Sequence, residues 1–119
     1  MTISPAMVTF DTLDATSLAG WWARQTGGTV RDDSDGWYVM VAPTRPGGPV
    51  LAFQKVEDPT PGKNRVHVDL TADDRDAEVE RLLADGASLV ARHEHEGFVW
   101  VVLSDPDGNQ FCVSQAHSA

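Results

Sequence analysis

An internal repeat is the feature that most constrains how this chain can fold. Residues 7–14 (MVTFDTLD) and 67–74 (HVDLTADD) both read as a strand that ends in acidic residues, the second beginning 60 positions after the first. A helical pattern follows each, with apolar residues three and four positions apart. After each helix come a strand pair and a final strand, at 50–56 in the first half and 109–114 in the second. Each half therefore predicts the order β-α-β-β-β, which favours two similar modules over an arbitrary α+β arrangement.

The two predicted helices have recognisable apolar stripes and ends. Leu18, Trp21 and Trp22 have helical spacing in the first helix, so at least one tryptophan should be buried. Gly27 can end the first helix and Gly86 the second, because glycine readily adopts the left-handed conformation of a helix C-terminus.

Two predicted hairpins also align with each other. Residues 31–41 and 92–102 share an Arg, a polar turn, a Gly, an aromatic residue and an apolar run at a spacing of 61. The alignment places His93 and His95 in the turn, as solvated residues rather than as a metal-binding pair.

The repeat suggests how the 119 residues are organised. We expect one domain over residues 1–119, with module one at about 5–56, a Pro/Gly-rich linker at 57–64 and module two at about 65–115. A unit of about 60 residues is only marginally stable alone, so the modules should bury each other's sheets. His117 falls in a short tail that we expect to be disordered.

Composition excludes several classes of protein. The formal net charge is −9, whereas binding to nucleic acid or to an anionic membrane needs clustered Lys and Arg. Cys112 is the only cysteine, which rules out an intramolecular disulfide and a Cys-rich zinc site. The chain starts without a basic segment or a long apolar run, so we expect a cytoplasmic protein with no signal peptide and no membrane helix.

Motifs in both halves are similar to those of one protein family. In the second half they are His67-Val68-Asp69-Leu70, the helix end Leu83-Ala84-Asp85-Gly86-Ala87 and the turn Ser104-Asp105-Pro106-Asp107-Gly108-Asn109. The first half contributes the segments 14–22 (DATSLAGWW) and 51–54 (LAFQ). Together they resemble the vicinal oxygen chelate superfamily, which includes glyoxalase I, bleomycin- and fosfomycin-resistance proteins and extradiol dioxygenases. The small glyoxalase-like proteins are the most similar.

The resemblance implies an α+β fold and a type of site. Two βαβββ modules would form a curled sheet around a cavity, with helices outside, and the chain would form a homodimer. A ferredoxin-like sandwich is the competing fold, but it has fewer strands than the pattern predicts. In metal-using members the cavity holds one divalent ion, whose His, Glu or Gln ligands come from the first and last strand of each module.

The positions that match the family's metal ligands are Met7, Gln54, His67 and Cys112. Met7 lies 60 positions before His67, Cys112 stands at the usual last-strand Glu, and Gln54 is its counterpart when Phe53 is aligned with Phe111. This set has no carboxylate, whereas Mg, Mn and Fe ions prefer oxygen and imidazole ligands with negative charge. We therefore expect no resident metal or other cofactor. If a divalent metal does bind, His67, Gln54 and Cys112 would hold it and would favour zinc or another soft ion.

Strand alternation suggests further cavity residues. Val66, Val68 and Leu70 would face a helix, which turns His67 and Asp69 toward the cavity. Either of these two could act as a catalytic general base, or Asp69 could simply shape the pocket.

Aromatic residues in the hairpins leave two alternatives open. Phe98 and Trp100 share a face that either lines a pocket for a flat organic ligand or packs under a helix, and Trp37 lies in the matching hairpin. Cys112 has no Lys or Arg near it in sequence, so we expect a small core or pocket residue rather than a nucleophile.

Three functions remain compatible with these patterns. The first, which we favour, is binding of a small organic molecule in the cavity of the curled sheet without the usual metal site. Its candidate ligand-binding residues are Met7, Gln54, His67, Phe98, Trp100 and Cys112. The second is a lyase, isomerase or dioxygenase-type enzyme with a non-standard metal site, or with acid–base chemistry at His67 and Asp69. The third is an interaction module with no small ligand.

Overall fold

The computed structural model describes residues 2–116, and His117 lies outside them. The elements are β1 (Met7–Thr12), α1 (Ala15–Thr26), β2 (Thr29–Asp32), β3 (Tyr38–Ala42), β4 (Val50–Lys55), β5 (Asp69–Ala72), α2 (Arg75–Ala84), β6 (Ser88–His95), β7 (Phe98–Ser104) and β8 (Gln110–Gln115). The predicted α+β class and the two βαβββ modules are therefore confirmed. The chain divides into two compact units between Thr60 and Pro61.

The first unit packs one helix on one face of a four-stranded sheet. Its strand order is β1-β4-β3-β2, with β1 parallel to β4 and the other pairs antiparallel. Trp21 and Trp22 are both buried, together with Phe53 of β4. The α1 helix begins where the Asp14 carboxylate accepts a hydrogen bond from the Ser17 backbone N–H at 3.0 Å, and it ends at Gly27 in the left-handed conformation, as predicted.

The second unit repeats this topology, with the strand order β5-β8-β7-β6. Leu82 of α2 is buried, and the buried face of the sheet consists of Val101, Leu103, Phe111 and Val113. Arg92 lies on the same face as Val101 and comes within 3.8 Å of Asp76 on α2. This face is therefore the one that α2 covers. The prediction that Val66 packs against a helix was wrong, since it precedes β5 and is 79% exposed.

Strand pairing corrects the internal alignment of the last strands. Thr9 pairs with Ala52 in the first sheet, and 60 positions later Asp69 pairs with Cys112 in the second. Ala52, rather than Gln54, is therefore the structural counterpart of Cys112. Aligning the two phenylalanines had placed the counterpart two residues too far along.

The second hairpin is longer than the alignment implied. Met40 pairs with Ala52 while Val102 pairs with Cys112, a spacing of 62 in the hairpin strands instead of 61. Shifting a strand by one residue turns every side chain to the other face. The extra length lets the strands continue to a two-residue turn, Glu96–Gly97, in which both residues have positive φ, as in a type I′ hairpin.

This longer hairpin corrects the predicted position of the two histidines. His93 and His95 lie on β6, paired with Trp100 and Phe98, rather than in the turn, and both are exposed as predicted. Within residues 2–116, no helix is long and apolar enough to cross a membrane.

Candidate functional site

The face of the second sheet that points away from α2 carries the main candidate residues. Successive side chains of a strand point to opposite faces of the sheet. The Trp100 side chain therefore points away from the face on which its neighbour Val101 is buried. Cys112 lies in the inner strand β8, between Asp69 on one side and Val102 on the other. The fold thus brings the aromatic and the polar candidates of this module to one surface.

His67, Asp69 and Cys112 form a polar cluster at one end of this surface. The His67 Nδ1 and Asp69 Oδ1 atoms are 2.8 Å apart. One ligand atom from each of the three residues lies within 4.8 Å of the others. His67 precedes β5, but Val68 accepts a hydrogen bond from the Cys112 backbone N–H at 3.0 Å, which extends the pairing of the two strands to this point. The His67 and Asp69 side chains are 49% and 71% exposed, so solvent and ligands can reach them.

The Cys112 thiol is kept protonated by its surroundings. Burial raises its pKa, and the negative charge of Asp69 and a hydrogen bond with the Asp69 side chain raise the pKa further. A smaller effect of Lys63 acts in the opposite direction. Because the thiolate is the reactive form, this thiol is a poor nucleophile.

A cavity of about 470 Å³ opens on this face. Its lining is predominantly apolar and includes His67, Asp69, His95, Phe98, Trp100 and Cys112. The Phe98 and Trp100 rings lie 5.8 Å apart between centroids, and His93 stacks on Trp100 at 5.3 Å. The structure therefore assigns Phe98 and Trp100 to a pocket face rather than to packing under a helix.

A second, smaller cavity of about 300 Å³ shares part of this lining. It includes His67, Trp100 and Cys112 and adds Lys63 and His93. His67 and Cys112 therefore line both cavities on the open face, that is, the face of the second sheet that points away from α2.

Met7, Gln54 and Trp37 belong to the first unit. The Met7 thioether accepts a hydrogen bond from the Tyr38 hydroxyl at 2.9 Å. Gln54 is exposed and pairs with Asp11. Trp37 precedes β3 and is exposed, and the Lys55 ammonium lies 4.9 Å from the centre of its ring.

The donors of the polar cluster match a soft metal ion better than a hard one. The sequence-based set had no carboxylate, but the structure adds Asp69, which strand alternation had already turned toward the cavity. A thiol, an imidazole and one carboxylate are the donors that zinc accepts, whereas Mg²⁺ and Mn²⁺ prefer oxygen. The superfamily's oxygen-rich site for a hard ion therefore does not fit these three residues.

Comparisons with known proteins agree with this architecture. Residues 7–114 match the family described as Glyoxalase-like domain. No curated protein matches the chain.

Solved structures with a similar fold cover nearly the whole chain. One is a glyoxalase/bleomycin resistance protein/dioxygenase family enzyme from Burkholderia phytofirmans PsJN, with 18% identity, a TM-score of 0.74 and coverage of 94% of this chain and 98% of that chain. Another is a superfamily member from Sphaerobacter thermophilus DSM 20745, with 23% identity, a TM-score of 0.72 and coverage of 98% and 99%. TnmS3, an antibiotic binding protein from Streptomyces sp. CB03234, has 22% identity, a TM-score of 0.66 and coverage of 98% and 99%. The chain therefore belongs to the Glyoxalase-like domain family of the vicinal oxygen chelate superfamily.

Proposed function

We propose that this protein binds a small organic molecule with a flat apolar part in the cavity of its second unit, without the metal site usual in the superfamily. The observation that carries the proposal is the make-up of the cavity. Phe98 and Trp100 form an aromatic wall, and His67, Asp69 and Cys112 converge at one end. A largely apolar hollow of this size with a few converging polar groups is typical of ligand sites.

Two further observations support a binding role. Phe98 is 46% exposed, and covering a large apolar side chain with a ligand recovers free energy in proportion to the area removed from water. TnmS3, which has a similar fold, is described as an antibiotic binding protein. A protein with this fold can therefore have a binding role.

The proposal is tested with naphthalene as a flat probe, titrated into the protein and followed by the backbone and indole N–H signals in NMR spectra. We expect shifts around Trp100, and we expect Trp100→Leu to weaken binding at least about tenfold, as removal of a central aromatic anchor does. Trp37→Leu is the matched control, since Trp37 is an exposed tryptophan of the first unit. Equal weakening by both changes, or no binding by the wild type, would contradict the proposal.

A second candidate function is supported by the distances within the polar cluster. His67, Asp69 and Cys112 offer three donors within 4.8 Å of one another, enough to hold a soft divalent ion such as zinc. Such an ion supplies Lewis-acid chemistry when bound. With His67, Asp69 and Cys112 holding the ion, the adjoining apolar cavity would bind the substrate of a lyase- or isomerase-type reaction.

Elemental analysis of the purified protein separates the two candidates. The binding proposal expects no stoichiometric metal. About one equivalent of zinc in the wild type that is lost in Cys112→Ser would overturn the metal-free proposal and support the enzyme. Asp107→Ala serves as the control, since this exposed carboxylate lies outside the cluster.

Assembly and location are also proposals. We propose a homodimer in the cytoplasm, as the sequence analysis expected. Sedimentation velocity tests the assembly, since a species with the mass of one chain at micromolar concentration would contradict a dimer. Fractionation of cells that express the protein tests the location.

A further inference from the structure

The hydrogen bond between His67 and Asp69 favours one position for the proton of the imidazole. An ionised carboxylate can only accept hydrogen bonds, and Asp69 Oδ1 lies 2.8 Å from His67 Nδ1. The contact therefore favours the form of the imidazole in which Nδ1 donates, and this tautomer is part of the inference tested below. In a neutral imidazole with its proton on Nδ1, the other nitrogen, Nε2, has a free lone pair and accepts hydrogen bonds.

That acceptor is available to a ligand. Among residues 2–116, the structure shows no hydrogen bond of the His67 side chain besides the one to Asp69. The His67 side chain is half exposed and borders both cavities of the open face. Water reaches this half-exposed side chain in the free protein, so a ligand donor exchanges a hydrogen bond to water for one to the ligand, with a modest net gain in free energy.

The sheet determines where such a donor must lie on the ligand. Trp100 is on β7 and His67 is next to β5, with β8 between them. Neighbouring strands are about 4.8 Å apart, so roughly 10 Å separates the two backbone segments across the face. A ring that lies flat on Trp100 can reach His67 only with a substituent that extends in the plane of the ring. A hydroxyl group attached directly to an aromatic ring lies in that plane.

We propose that the ligand is a hydroxylated aromatic compound, a phenol or naphthol, whose hydroxyl donates to His67 Nε2 while its ring stacks on Trp100 and Phe98. This inference rests on the proposed binding function and adds the chemical class of the ligand. His67 is the residue that contacts the ligand. Asp69 is a positioning residue, which holds the tautomer of His67 that can accept.

Three probes with the same ring test this proposal by calorimetry or NMR titration: 2-naphthol, 2-methoxynaphthalene and naphthalene. We expect the wild type to bind 2-naphthol about 3- to 10-fold more tightly than the other two, the range expected for one hydrogen bond. His67→Phe and Asp69→Ala should reduce this ratio to about one. Asp107→Ala, an exposed carboxylate of the same unit that lines neither cavity, should leave it unchanged.

Nitrogen-15 NMR of the His67 ring gives a readout that a purely structural role of Asp69 would not move. We expect the Nδ1–H tautomer in the wild type and its loss in Asp69→Ala, with His67→Phe used to assign the signals. An Nε2–H tautomer in the wild type would overturn the inference. Equal affinity for 2-naphthol and 2-methoxynaphthalene would also overturn it while leaving the binding function intact, whereas failure of all three probes would overturn both.

Discussion

At the scale of one residue, Asp105 shows that the Asp-Pro turn motif shared with the family stabilises the fold. It is 3% exposed, and its Oδ1 atom accepts hydrogen bonds from the backbone N–H groups of Asp107 and Asn109, both at 2.9 Å. The Asn109 side-chain amide donates to Oδ2 at 3.0 Å. The carboxylate thus organises the tight turn before β8, the strand that holds Cys112.

Asp105→Ala should lower the free energy of unfolding by about 2–3 kcal/mol, because it removes hydrogen bonds to a buried charged group. Urea unfolding followed by circular dichroism measures the change. Asp107→Ala is the control in the same turn, where the side chain is exposed and the expected change is within about 0.5 kcal/mol. Similar losses in both variants would contradict this role of the Asp105 carboxylate.

Asp32 should make stability depend on pH. Hydrogen bonds from the Gly36 backbone, and then from the Ser34 backbone, lower the pKa of Asp32 below the ordinary value of 3.8. A group whose pKa is lowered on folding stabilises the protein fully above its unfolded pKa, and this is lost as the pH falls through the folded value. Asp32→Asn should therefore be destabilising at neutral pH, by a difference that shrinks below pH 3.8. Carboxyl NMR titration checks the direction, and a folded pKa above 3.8 would contradict it.

The sequence predicted which face of its own strand a side chain points to. It could not predict which residue lies beside that side chain on the neighbouring strand. Strand alternation turned His67 and Asp69 toward the same face, and the structure brings them into hydrogen-bond contact. No sequence pattern indicates that Asp69 and Cys112 are direct neighbours, since that depends on the register of β5 with β8.

At the scale of elements, α1 illustrates what the apolar pattern determines. The spacing of Leu18, Trp21 and Trp22 predicted the buried stripe, and all three residues are buried. The strands were harder to place, because their pairing partners are distant in sequence and each side chain's face changes with a one-residue shift.

Glycine substitutions in and after α1 should have opposite effects. Gly20 lies inside the helix, and a Cβ there would have only an ordinary contact, 3.8 Å from Arg24 Nη1. Gly20→Ala should therefore raise the free energy of unfolding by about 0.5–1 kcal/mol. Gly28→Ala should lower it, since a Cβ there would lie 2.6 Å from the Ala42 carbonyl oxygen. Thermal unfolding by calorimetry measures both, and a stabilising Gly28→Ala would show that this contact is not limiting.

At the scale of the whole molecule, each unit has one helix for a four-stranded sheet. One helix covers one face, so the other face of each sheet has no cover from elements of its own unit within residues 2–116. We expect residues 1–60 expressed alone to unfold at a lower urea concentration than the full chain, because a domain of that size buries too little surface. Coincident unfolding of the fragment and the full chain would show that the first unit is an independent domain.

The sequence by itself determined the element order, the duplication and the burial of at least one tryptophan of α1, because hydrophobic periodicity and turn residues act over a few positions. The superfamily followed from the resemblance of its motifs. Only the tertiary structure decided that Phe98 and Trp100 line a cavity, that His93 and His95 lie on a strand, and that Ala52 is the counterpart of Cys112. Each of these depends on strand register, which is set by pairing between residues far apart in the chain. Register also brings Asp69 beside Cys112, and it thereby created the cluster on which the proposed site rests.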